Sequence, residues 1–83
     1  MSETDIRAVV LATLKSIAPE VEEATLRADR ALRRQVDLDS IDWLNFLAQL
    51  HEKLKVEIPE ADYARLVTLD DVVTYLAQAG KPS

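Results

Sequence analysis

The sequence predicts an all-α protein of four helices, three longer and one short, with a long first loop between the first two. Three observations predict it. A single glycine and three prolines leave few breakers in 83 residues, and the good helix formers Ala, Leu, Arg and Glu are abundant. Apolar residues recur at helical spacing in three separate segments. Capping pairs and prolines mark where those segments start and stop. A chain of this length makes one domain, residues 1–83, with one modest core.

In the first segment, Ile6, Val9, Val10, Leu14 and Ile17 share a face, Ser2 and Asp5 form a capping pair and Pro19 marks the stop, so a helix is expected over about 3–18. Residues 19–39 are harder to read. Glu20 to Gln35 contains no breaker, yet its periodicity is poor, and a structureless connection this long is uncommon unless it is functional. A long crossover permits a helix arrangement that a short turn forbids, with Leu26, Leu32 and Val36 as anchors to the core.

The second longer helix is expected over 40–55, with Trp43, Phe46, Leu47, Leu50 and Leu54 as its inward stripe. A second apolar row, Ile41, Leu44 and Ala48, either packs under the neighbouring loop or forms a docking patch. Ile58-Pro59 breaks this helix, and 60–66 has room for one short helix. Thr68 and Asp71 make a further capping pair before Leu69, Val72, Val73 and Leu76, giving a last helix over 69–79 that Gly80 and Pro82 end.

Composition excludes several functions. Without cysteine there is no disulfide, thiolate metal site or cysteine nucleophile, and a lone His51 rules out a histidine metal cluster. Glu3 and Asp5 stand where a targeting segment would be basic, and no apolar run is long enough to span a bilayer, so a soluble, cytoplasmic monomer is expected, with no membrane insertion. Fifteen acids against ten bases give a charge of −5, which argues against nucleic acid as a partner. Residues 1–35 carry six of each sign, so the whole excess lies in residues 36–83, and a partner docking there should present basic side chains.

Asp39-Ser40-Ile41-Asp42, where a polar loop meets the second longer helix, is the one stretch that suggests covalent chemistry. A serine at a helix start exposes its hydroxyl where unpaired N–H groups collect and the macrodipole is positive, which suits a phosphate. The same position suits an ordinary N-cap. No catalytic residue is assigned: Ser40 and His51, on one helix, lie about 16 Å apart, too far for a nucleophile and its base. The only glycine, Gly80, leaves no phosphate-cradling loop. No metal is expected either, since Asp37-x-Asp39 opens like a calcium loop but continues with Ile41, Asp42 and Ala48 where such a loop needs an oxygen ligand, glycine and glutamate. His51 reads as a solvated helix residue, and Arg27, Arg30, Arg33 and Arg34 as a solvated loop face.

The segment from Asp29 to Asp42 resembles the region around the attachment serine of acyl carrier proteins: Leu32 and Val36 match two loop anchors, and Ser40 the serine of the Asp-Ser-Leu-Asp pattern. Leu54-Lys-Val-Glu-Ile-Pro-Glu60 resembles the stretch between that family's second and third helices, and the likeness extends from the first helix through Leu76. The resemblance implies a four-helix bundle of the acyl-carrier type. It also implies that a phosphopantetheinyl transferase places 4′-phosphopantetheine from coenzyme A on Ser40, whose terminal thiol then carries acyl groups as thioesters for acyl-activating or acyl-transferring enzymes with basic patches. The reactive sulfur then belongs to the cofactor and not to the protein. By the same analogy Asp39 and Asp42 serve transferase recognition, and Ile41, Leu44, Asn45, Ala48 and Glu52 form the docking face.

Departures narrow the reading. Asp37 replaces a common glycine and Ile41 the usual leucine, while Asn45 and His51 stand where housekeeping fatty-acid carriers commonly show acids. This points to a carrier for a specialised lipid or secondary-metabolite pathway. Aminoacyl (D-alanyl), peptidyl or polyketide cargo is the alternative within the class, and an unmodified helical interaction module the alternative outside it. Trp43 is either a core side chain whose indole N–H reaches an outer partner or, with Leu47 and Leu50, part of an acyl cavity that it narrows to short chains.

Overall fold

A computed structural model describes residues 2–79 of the chain. Helix α1 (Glu3–Ile17) starts as the sequence predicts, with Ser2 Oγ accepting from Asp5 N at 3.2 Å. Glu3 and Asp5 in its first turn and Lys15 in its last complement the macrodipole. It ends before Ala18, because the ring of Pro19 disfavours a helical residue ahead of it. Ile6, Val10 and Leu14 are buried, Val9 and Ile17 half-buried. Thr13 is buried too, which the apolar pattern did not show. Its hydroxyl donates to Val9 O at 2.7 Å and accepts from Lys53 Nζ at 3.0 Å, so the buried oxygen is satisfied and α1 is tied to the next long helix.

The long connection is far from structureless. Successive turns lead to a one-turn helix, α2 (Leu32–Gln35), that the sequence reading did not count. Leu32 and Val36 are buried as expected, Leu26 is only half-buried, and Leu38 joins the core as an unforeseen anchor. The Gln35 carboxamide holds the preceding turn together: Oε1 accepts from Arg27 N at 2.6 Å, and Nε2 donates to Arg27 O at 2.8 Å and Arg30 O at 3.1 Å. Backbone bonds pin the same stretch to the start of the last helix, from Leu32 N to Val67 O (2.9 Å) and from Asp70 N to Ala28 O (3.1 Å), around an isolated antiparallel bridge between Ala31 and Thr68. These partners satisfy backbone groups of an irregular segment that lies on the core.

Helix α3 (Ser40–Leu54) is capped by Asp39, whose Oδ1 accepts from Asp42 N at 2.8 Å. This corrects the reading of Ser40 as an N-cap: the carboxylate one residue earlier takes that role, and Ser40 is the first helical residue. Trp43, Phe46, Leu47 and Leu50 are buried as predicted, Leu54 half-buried. The helix stops ahead of Ile58-Pro59, because Lys55 turns left-handed at φ 56°. That conformation costs a residue with a Cβ about 1 kcal/mol. His51 helps hold it. Its Nδ1 lies 2.8 Å from Val56 O, and since a carbonyl only accepts, Nδ1 carries the proton. His51 is therefore not simply solvated.

The expected short helix is a 3-10 helix, Glu60–Arg65. Helix α4 (Leu69–Ala79) opens on a reciprocal capping box, Asp71 N to Thr68 Oγ1 at 3.0 Å and Thr68 N to Asp71 Oδ2 at 3.1 Å. Its buried residues are Leu69, Val72, Val73 and Leu76, as predicted; the expected stop at Gly80 and Pro82 lies outside the described residues. α1 packs against both α3 and α4, and the anchors of the connection complete one continuous core. The helical-bundle architecture predicted from the sequence is the one observed.

Tyr75 of α4 fastens the 3-10 helix by donating to Asp62 Oδ2 at 2.6 Å, with Arg65 lying 5.9 Å from its ring centroid. The bond to the carboxylate, helped by desolvation, raises the phenol above its ordinary pKa of 10.0.

Two outcomes follow from these contacts. Asp39→Ala should lower stability by about 1 kcal/mol, and Ser40→Ala by less than about 0.5 kcal/mol, in urea titrations; equal losses would show that the serine shares the capping. A phenol whose pKa is raised in the fold stabilises the protein below the unfolded value and loses that contribution as pH rises through the folded value. Wild type should therefore lose up to about 1 kcal/mol above pH 10 that Tyr75→Phe does not lose, this partly exposed bond being discounted for solvent.

Candidate functional site

At the start of α3 the division of labour between two neighbours exposes a hydroxyl. Asp39 uses its side chain on Asp42 N and its carbonyl on Trp43 N (2.9 Å). Ser40 is exposed and its Oγ has no hydrogen-bond partner among the described residues. The backbone N–H groups of Ser40 and Ile41, the first two of the helix, likewise find no acceptor there. Free N–H groups, the positive end of the macrodipole and an unengaged nucleophilic oxygen together fit an anion joined through Ser40 Oγ. Asp37, Asp39 and Asp42, all within three residues of Ser40 in sequence, oppose such an anion.

The connection contributes more to this site than the sequence suggested. Arg33, expected on a solvated loop face, donates from Nε to Leu38 O at 3.4 Å and places its guanidinium carbon 6.0 Å from the Trp43 ring centroid. It bridges the segment before Ser40 to the helix after it. No sequence signal marks it among four similar arginines, because the contact joins residues brought together only by the fold. Leu38, by contrast, left a trace: it alternates with Val36 as an extended segment does.

Trp43 is a core side chain, 7% exposed, with its ring 5.3 Å from that of Phe46 and tilted by 39°. Its indole N–H reaches no acceptor among the described residues, contrary to the sequence expectation. Ile41 and Leu44 are 70% and 49% exposed, and Ala48 is exposed with them, so this row does not pack under the loop. Asn45 and Glu52 are exposed on the same helix and Asp42 is half-buried.

Beside this row runs an open groove of about 450 Å³ between the C-terminal half of α3 and the following segment, lined by Leu47, Ala48, His51, Glu57, Ile58, Pro59 and Tyr63. Of the three residues expected to line an acyl cavity, only Leu47 borders it. Trp43 and Leu50 do not, because both turn inward, Leu50 completely. His51 is held at the groove by its bond to Val56 O. No helix among the described residues is long and apolar enough to cross a membrane.

Comparison with known proteins bears on what the site is for. Residues 7–76 match the family model described as the phosphopantetheine attachment site. The acyl carrier protein of Campylobacter concisus (strain 13826) is 31% identical over 77 residues, 93% of this chain and 94% of the relative. That of Campylobacter curvus (strain 525.92) is 32% identical over 77 residues, with the same coverage. That of Campylobacter hominis is 31% identical over 77 residues, 93% of this chain and 91% of the relative. With a family model spanning most of its length and relatives above 30% identity, the chain belongs to the acyl carrier protein family, whose prosthetic group is 4′-phosphopantetheine.

Proposed function

We propose that the protein is a non-catalytic carrier whose prosthetic group is esterified to Ser40 Oγ, and that its docking face serves a specialised pathway. One observation carries the attachment site: the Ser40 hydroxyl is exposed and unengaged at the helix start because Asp39 does the capping. A transferase can therefore take the oxygen without dismantling the helix end. The N–H groups of Ser40 and Ile41 face the charge that esterification brings, while Asp39 and Asp42 remain for recognition of a basic transferase surface. The bound group supplies the thiol on which acyl cargo is carried as a thioester. Nothing supports Ser40 as a catalytic nucleophile of its own, since His51 lies about 16 Å along the same helix and its Nδ1 is engaged with Val56 O.

The exposed row Ile41, Leu44 and Ala48, flanked by Asn45 and Glu52, supports a docking face that buries an apolar strip against a partner. Its charges are sparse: Asp42 and Glu52 carry them, where the resemblance to housekeeping carriers leads one to expect more acids. Basic patches tuned to a fully acidic helix should meet this one more slowly, which favours dedicated partners over the general fatty-acid enzymes. The groove beside Ala48 offers an apolar wall along which a cargo chain can lie.

Incubation with coenzyme A and a promiscuous phosphopantetheinyl transferase should add the mass of one phosphopantetheine to wild type and nothing to Ser40→Ala; an unchanged wild-type mass, where a control carrier is loaded, rejects the attachment site. Standard fatty-acid elongation enzymes should turn over loaded wild type slowly, and Asn45→Glu should raise kcat/KM roughly threefold or more at low salt. Turnover of wild type at the rate of a housekeeping carrier would remove the case for a specialised pathway.

A further inference from the structure

Resting on Ser40 as the attachment point, we propose that Arg33 is the counter-charge of the phosphodiester that this serine bears. The start of α3 already holds Asp37, Asp39 and Asp42, so a further anion there meets three carboxylates, and the two free backbone N–H groups offset only part of that field. Among the described residues, Arg33 is the cation that links both flanks of the serine: it donates to Leu38 O before it at 3.4 Å, and its guanidinium carbon lies 6.0 Å from the Trp43 ring centroid after it. Leu38 precedes Ser40 by two residues, a span of at most about 7 Å. Trp43 follows it at i+3 on the helix, where side-chain carbons sit about 5–6 Å apart. Both anchors tether the guanidinium to residues two and three positions from Ser40.

The chemistry of the side chain fits this role. Nε is used on Leu38 O, and the remaining guanidinium N–H groups have no acceptor among the described residues, although three aspartates lie close in sequence. A planar fork with free donors suits phosphate oxygens better than the single charge of a lysine. The other arginines of the connection differ: Arg27 pairs with Asp29 at 3.7 Å, and among the described residues neither Arg30 nor Arg34 makes a side-chain contact that would hold it at the helix start. Arg33 is thus placed by its own local bonds before any prosthetic group arrives, and its ordering cost does not fall on attachment.

The test compares thermal unfolding of the unloaded and loaded forms of wild type, Arg33→Gln, Arg33→Lys and Arg34→Gln, with loading checked by intact mass. Arg33→Gln should lower the Tm of the loaded form by about 4 °C more than that of the unloaded form at low ionic strength. The extra loss should shrink in about 1 M salt, where charges are screened within about 3 Å. Arg33→Lys, which keeps the charge but loses the planar fork, should recover only part of it, and Arg34→Gln should show no difference between forms. Equal losses in both forms would reduce Arg33 to a clamp on Trp43, and an equal effect of Arg34→Gln would reduce it to general charge; either overturns the proposal. So would a phosphorus-31 resonance of the loaded protein that is the same in wild type and in Arg33→Lys, a comparison that remains available if Arg33→Gln fails to fold. A wild type that cannot be loaded at all is seen by mass alone and rejects the Ser40 attachment site separately.

Discussion

The fixing of the long first connection underlies everything else in this protein. Leu32, Val36 and Leu38 bury their side chains beneath it, while Leu32 N donates to Val67 O and Ala28 O accepts from Asp70 N, joining it to the start of α4. Burial of apolar side chains of this size is worth about 1.5–3 kcal/mol each, enough to offset the entropy of ordering a few irregular residues but not many. The Gln35 carboxamide adds to this by closing the turn at Arg27 and Arg30. Were this stretch free, Arg33 and Leu38 would hang from a mobile tether ahead of α3; with it pinned, Arg33 reaches both Leu38 O and the Trp43 ring of that helix's first turn.

The separation of roles at that point is a matter of one residue. A side-chain oxygen at the capping position accepts from the third amide of the helix, and whichever residue does so is occupied. Because Asp39 accepts from Asp42 N, Ser40 presents its oxygen outward with two unpaired amides beside it. The carboxylate cap stabilises the bare helix end and also adds negative charge where an anion would be attached. Arg33, held between Leu38 and the Trp43 ring, is the element of the structure that works against this conflict.

The regular elements were legible from the sequence because each is written locally. The Ser2–Asp5 and Thr68–Asp71 pairs, Pro19 and the apolar stripes of α1, α3 and α4 depend on spacing along one stretch, and the structure reproduces them. Where the reading departed from the structure, the deciding contact crossed elements or shifted by one position. Lys55, not Ile58-Pro59, ends α3, since the left-handed turn is held by His51 against Val56 O. Thr13 is buried because Lys53 reaches its hydroxyl from another helix. Trp43 was rightly placed on the inward stripe, but whether it packed on Phe46 or bordered a cavity depended on neighbours the helix pattern does not contain.

By itself the sequence determined the helical class, the positions of the longer helices, the anchors Leu32 and Val36, the serine at the start of α3 and the likeness of its surroundings to a carrier family. These are properties of periodicity, capping chemistry and short motifs, all encoded within a turn or two of chain. Only the tertiary structure decided that Asp39 caps and Ser40 stays free, that Ile41 and Leu44 face solvent and not the loop, that Leu47 alone of the expected cavity residues borders the groove, and that Arg33 reaches Leu38 O and the Trp43 ring. Each of these turns on which surfaces a neighbouring element covers or reaches, a long-range outcome of packing that no local pattern specifies.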